Sequence, residues 1–295
     1  MDDLLRLSDE VATALAEGRP VVALETTLVA HGFPQPEGVE VGLESERRVR
    51  EAGGVPATIG VLDGAVRVGL AAEELERFTP EARKLGPRDL AACAVQGAAG
   101  ATTVGGTLAV AGAVGIRFLG TGGLGGVHRG FPHPPDVSAD LGVLARTQAL
   151  VVSAGVKSLL DVGATAEVLE TLGVPTLGYR VDTLPLFYAA EGGPPVSARV
   201  EAPAEAARLA RAHWRLGGGG LLLGRAPDES LDVAPLLAEG VAEARRRGVG
   251  GQELTPFVLS FLHERSGGRT MAVNRALIAA NAGLAAEVAV AEAAA

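Results

Sequence analysis

The 295-residue sequence has one cysteine, Cys93, and only two lysines, Lys84 and Lys157. It has no excess of positive charge: 26 Lys and Arg against 35 Asp and Glu give a net charge of −9. It also lacks a basic leader, since it opens Met1-Asp2-Asp3-Leu4-Leu5-Arg6. Each shortage excludes something. One cysteine rules out a disulfide scaffold and a cysteine-built zinc site, and suits a reducing, cytoplasmic compartment. An acidic chain without a basic patch is not expected to bind nucleic acid. An acidic start is the reverse of a secretory signal. Residues 90–116 carry no charge, but they are mostly Ala, Gly and Thr, interrupted by Gln96. That run is too weakly apolar for a membrane span and reads better as a buried core segment.

The scarcity of lysine has a second meaning. Where only positive charge is needed, this chain uses arginine. Arginine cannot deprotonate in a protein, whereas lysine can supply a neutral amine. Lys84 and Lys157 are therefore candidates for chemistry that arginine cannot do, the plain alternative being an ordinary ion pair.

What is present is 47% apolar residues and 41 glycines, enough to bury a large core. Short apolar runs predict strands at 21–24, 57–62, 65–68, 116–119, 149–152, 176–179 and 220–223. Helical patterns lie between them, near 3–17, 37–52, 104–114, 138–146, 158–172, 202–215 and 234–247, and two more close the chain near 254–265 and 269–292. This alternation predicts a single α/β domain over 1–295, with a largely parallel sheet covered by helices on both faces. The Gly-Gly-Pro-Pro stretch at 192–195 is the one plausible hinge or lid boundary.

Ligands in such folds bind at the carboxyl ends of strands. Here those ends carry Glu25, the glycine-rich run 120–130, the segment 153–157 and Asp182. The run Gly120-Thr121-Gly122-Gly123-Leu124-Gly125 matches G-x-G-x-x-G, but prolines at 132, 134 and 135 prevent a helix from following at once. It is therefore not a dinucleotide fingerprint. It is either a backbone cradle for phosphate or a structural turn. His128, His133 and Asp136 share one loop. They could hold a metal, and a lone carboxylate with waters would suit Mg²⁺ or Mn²⁺; equally, Asp136 or Ser138 could cap the next helix. Lys157 in Ser153-Ala154-Gly155-Val156-Lys157-Ser158 is placed where a strand gives way to a helix, a setting for an amine nucleophile or for an ion-paired lysine. Glu25, ending the first long strand, is either a desolvated proton donor or a loop acid. Asn274 and Asn281 lie two turns apart on one face of the last helix.

Together these segments resemble the pseudouridine-5′-phosphate glycosidase family. The resemblance is carried by Glu25-Thr26-Thr27, Ala30-His31-Gly32-Phe33-Pro34, the runs 121–130, 136–141 and 153–158, Thr255-Pro256-Phe257, and Asn274-Arg275-Ala276-Leu277 with Asn281. It extends from about residue 8 to 290. It implies a three-layer α/β/α fold, a homotrimer, and cleavage of the C–C bond of pseudouridine 5′-phosphate to uracil and ribose 5-phosphate. It gives Lys157 the place of the nucleophile, Glu25 that of the proton donor and Asp136 that of a Mn²⁺ ligand. Lys84, Val104, Ser138, Ala139 and Asp140 fall on substrate-binding positions. Thr121, His128 and Asn281 are further candidates. Three other readings remain open: a metal-water hydrolase or N-glycosidase built on His128, His133 and Asp136; a non-catalytic sugar-phosphate sensor; and a relative acting on another C-nucleoside phosphate or in pigment biosynthesis.

Overall fold

A computed structural model describes residues 4–129, 135–250 and 254–295. The first half of the chain runs β1 (Leu5–Leu7), α1 (Asp9–Ala16), β2 (Val21–Glu25), a π-helical turn (Leu28–Gly32), α2 (Glu37–Glu51), β3 (Val55–Leu62) and β4 (Ala65–Val68). Then come α3 (Ala72–Leu75), β5 (Arg83–Leu85), α4 (Leu90–Val95), β6 (Gly100–Thr102), α5 (Val104–Val114), β7 (Phe118–Gly120) and β8 (Val127–His128). The second half runs α6 (Ala139–Arg146), β9 (Leu150–Ser153), β10 (Leu160–Asp161), α7 (Val162–Thr171), β11 (Thr176–Tyr179), β12 (Ala198–Val200) and α8 (Pro203–Arg215). It ends with β13 (Leu221–Arg225), α9 (Ala234–Arg246), α10 (Leu254–Arg265) and α11 (Arg269–Ala293).

One sheet orders the strands β1-β4-β3-β2-β7-β9-β13-β11-β12, with β6 and then β5 branching from β3. Its ladders are parallel except β3–β4 and β3–β6. The central strands are apolar on both sides, as a sheet between two helical layers requires. Val22, Leu24, Leu150, Val152, Leu221 and Leu223 face one packed cluster. Their neighbours Val21, Ala23, Val151 and Leu222 face the other. Strand alternation thus supplies both cores from the same short runs. The result is the expected three-layer α/β/α arrangement.

Helix α11 packs on α2, α8 and strands β2, β7 and β9. It is long and apolar enough to cross a membrane, yet 56% of that window is buried inside the protein. Alanines allow the close approach. A Cβ on Gly120 would come within 2.6 Å of Ala282 Cα, so only glycine lets β7 end against this helix.

Three local expectations are corrected. The first helix begins at Asp9, not near residue 3: Leu5 and Leu7 form an edge strand on β4, and the Ser8 side chain caps the helix by accepting from Val11 N–H. The helix after Lys157 begins at Val162 rather than 158. Leu159 and Leu160 are buried, and Asp161 is the cap, accepting from Ala164 N–H at 3.0 Å. The 192–195 stretch is not a free hinge. Leu184 N–H donates to Pro194 O at 2.9 Å, and Thr183 bridges Pro195.

Candidate active site

The carboxyl ends of β2, β7 and β9 converge, and parallel pairing sets their relative heights: Leu24 lies opposite Gly120, and Gly120 opposite Val152. One step beyond stand Glu25, Thr121 and Ser153. Glu25 is 3% exposed. Its Oε2 accepts from the Thr27 hydroxyl and its Oε1 from the Thr121 hydroxyl. Thr27 is itself within 2.8 Å of Thr102 O. Burial pushes the Glu25 carboxyl up from the usual range, opposed first by the positive charge of Lys157 and then by the two hydroxyls. Glu25 is thus a buried acid with a raised proton affinity, not a loop acid.

Lys84 and Lys157 come from distant parts of the chain and line one cavity of about 390 Å³. Gly86, Asp89, Thr103, Gly125, His128, Asp136, Ser138 and Asp140 share that lining. Burial, and next the charge of Lys157, bring the Lys84 ammonium down to about 8, while Glu25 and Asp140 pull the other way. The two lysines thus share one cavity with the buried side chain of Asp140.

Asp140 is 3% exposed, and its carboxylate is fully engaged. Oδ1 accepts from Gly105 N–H at 2.7 Å and Oδ2 from Gly125 N–H at 3.0 Å. It ties the start of α5 to the glycine-rich loop. Leaving two buried amides without that partner would cost about 1–3 kcal/mol each. Ser138 caps α6, accepting from Asp140 N–H at 3.2 Å, and Ala139 opens the helix. Val104 is fully buried in the first turn of α5, and it is its neighbour Thr103 that reaches the cavity.

The glycine-rich loop is less available to phosphate than its composition predicts. The amides of Thr121, Leu124, Gly125 and Val127 already donate, to Val152 O, Gly155 O, Asp140 and Thr165 Oγ1. The run crosses several packed neighbours, and this accounts for much of its glycine.

Asp136 does not cap α6. Its side chain is 44% exposed and faces His128, with Nδ1 3.7 Å from Oδ2. Burial lowers the His128 pKa, with Asp136 opposing. His133 lies outside the described residues. Among the described residues no three His, Cys, Asp or Glu side chains gather as metal ligands. One open carboxylate suits a hard cation that keeps most of its waters, and is a poor zinc site.

Two residues matter more than their spacing alone indicated. Asn274 is 2% exposed, Asn281 is fully buried, and each has an Oδ1 with no partner. Asn281 Nδ2 donates to Thr121 O at 2.7 Å, and Asn274 Oδ1 would lie 3.6 Å from a Cβ on Gly122. Two buried carboxamide oxygens close to Thr121 and Gly122 thus lack a partner among the described residues. Their seven-residue spacing was the signal available in sequence. His31, also in a quoted motif, has a buried Nε2 without a partner, and its pKa is lowered by burial and then by Lys84.

Residues 10–291 match the family model described as indigoidine synthase A like protein. A pseudouridine-5′-phosphate glycosidase of Salinispora tropica is 50% identical, covering 98% of this chain and 92% of that protein. One of Streptomyces griseus is 48% identical, over 97% of this chain and 92% of its own. Among solved structures, the prealnumycin C-glycosynthase AlnA in complex with ribulose 5-phosphate is 41% identical with a TM-score of 0.89, covering 100% of this chain and 98% of that one.

Proposed function

The chain belongs to the indigoidine synthase A-like family, and from that premise we propose that it is a pseudouridine-5′-phosphate glycosidase, an enzyme that breaks a C–C glycosidic bond to give uracil and ribose 5-phosphate. The observation that carries the reading is a buried Glu25 whose carboxyl feels the charge of Lys157, the lysine that lines the cavity.

The chemistry asks for this pair. Uracil joined through C5 is a poor leaving group, because direct departure leaves charge on carbon. In the route we propose, electrons from the uracil ring first expel the ribose ring oxygen from C1′, and that oxygen takes up a proton. The amine of Lys157 then adds to C1′, and the uracil ring is restored. Glu25 gives its proton to C5. The Lys157 nitrogen forms a double bond to C1′, and the electron pair of the breaking C–C bond returns to the ring. Uracil leaves, and water hydrolyses the imine to release ribose 5-phosphate and the amine. Arginine could not replace Lys157, because it has no free amine to offer.

The remaining residues have supporting roles. Lys84 serves as a point charge toward phosphate or sugar. Val104, Ser138 and Ala139 offer backbone and hydroxyl groups, and Asp140 keeps their two helices and the glycine loop in register. A C5-linked uracil keeps both ring N–H groups free, and the unpartnered Asn274 and Asn281 oxygens suit two such donors. Asp136, with His128 beside it, would hold a divalent cation such as Mn²⁺, which would fix waters and charge at the phosphate end. Assembly as a homotrimer belongs to this reading and is measured by light scattering. So does a cytoplasmic location, in keeping with the buried free thiol of Cys93.

The test is reductive trapping. Borohydride added with ribose 5-phosphate should leave one reduced sugar phosphate on the Lys157 peptide, and none on Lys157→Arg. Protein saturated with sugar phosphate but without an adduct would remove the imine route.

A further inference from the structure

We propose that Phe187 is a positioning residue for Lys157, holding the amine's stem through a brace that the rest of the site does not supply. The inference rests on Lys157 being the nucleophile.

The loop that carries Lys157 is held from two sides. On one, Ala154 N–H donates to Gly122 O at 2.8 Å, Leu124 N–H to Gly155 O at 2.9 Å, and Lys157 N–H to Leu124 O at 3.1 Å. On the other lies a segment that the proposed chemistry does not use. Gly155 bridges Leu186, and Phe187 N–H donates to Ala154 O at 2.9 Å. The fit is too close for a side chain at residue 155, where a Cβ would sit 1.9 Å from Pro185 O.

Phe187 is the odd member of this segment. Its φ is +67°, in the left-handed region that non-glycine residues occupy at a cost. A sequence free to choose would place glycine there. The ring is what glycine would lose. It is 4% exposed and packs edge-to-face on Tyr188 with centroids 4.8 Å apart. Its Cδ2 comes within 2.7 Å, and Lys157 Cγ within 3.2 Å, of the point where a Cβ on Gly123 would stand. The Phe187 ring and the aliphatic stem of Lys157 therefore flank the same bare glycine. The ring walls one side of the space the stem can use, and the strained backbone aims the ring there. A nucleophile on four rotatable carbons gains from such a wall, since a misplacement of about 1 Å can cost about 100-fold in rate.

The experiment compares Phe187→Ala, Phe187→Leu and Phe187→Gly with wild type. Three quantities are read: kcat and KM for pseudouridine 5′-phosphate, the rate of borohydride trapping by saturating ribose 5-phosphate, and the melting temperature. Phe187→Ala should lower kcat and the trapping rate together by about 10- to 100-fold, with KM within about twofold. Phe187→Leu, which restores bulk, should recover most of both rates. Phe187→Gly relieves the left-handed backbone, so it should melt above Phe187→Ala and still trap as slowly. Activity that follows melting temperature across the three variants would reduce Phe187 to a structural role. Trapping unchanged in Phe187→Ala would overturn the proposal while leaving the lysine mechanism intact. No trapping in wild type would overturn the mechanism beneath it.

Discussion

The buried cluster around Glu25 and the mouth of the cavity are built on different terms. In the cluster Glu25, Thr121, Asn274 and Asn281 are almost wholly buried, and burial raises the proton affinity of the acid. At the mouth Asp136 is half-exposed, and His128 stands 3.7 Å from it. Charge in the cluster is expensive, which favours the protonated acid. Charge at the mouth is cheap, so the mouth can hold ions and phosphate without moving the chemistry. In the proposed reaction bond breaking belongs to the first region and docking to the second.

The sharpest way to break this division is at Lys157. Lys157→Arg keeps the charge and should abolish turnover and the trapped adduct, with the melting temperature little changed; measurable turnover would end the amine route. Next comes Glu25→Gln, which should lower kcat by about 100- to 10,000-fold in steady-state assays. In wild type kcat should fall as pH rises through the raised pKa of Glu25, because only the protonated acid donates. Glu25→Gln should lose that alkaline limb.

Smaller effects sharpen the contrast toward the mouth. Lys84 loses its charge above about pH 8. KM for the phosphorylated substrate should therefore rise above that pH, and Lys84→Arg, charged throughout, should flatten the rise. Mildest is His128→Ala. If Asp136 holds a divalent cation as proposed, this substitution should weaken Mn²⁺ affinity by about tenfold in a metal titration and leave kcat at saturating metal nearly unchanged. A large kcat loss there would show that the mouth takes part in bond breaking.

Much of this was legible in the residues. Val21, Val22, Ala23 and Leu24, apolar without a break, announced a strand buried on both faces, and Glu25 at its end announced a site. The rarity of lysine pointed to Lys84 and Lys157 before any geometry. Short elements were less readable. Strands β5 and β6 have three residues each, and their pairing is decided by the distant β3. Asp140 was placed in the site by resemblance, but its hold on two backbone amides depends on how α5, α6 and the glycine loop meet. Phe187 gave no local signal, since nothing in Leu186-Phe187-Tyr188 predicts a left-handed residue. The helix expected at 158 was displaced because Asp161, three residues on, is the better cap.

The bond from Asn281 to Thr121 spans 160 residues, and Thr121 in turn meets Glu25 across 96. On the ribosome the strand bearing Glu25 is made early, and the helix bearing Asn281 comes far later. A nascent chain can therefore carry both lysines and the buried acid well before α11 exists to close over β7. Parallel strands already await partners far along the chain, and this helix extends the wait beyond all of them. The amine and its acid are thus on the chain together long before the helix that covers them.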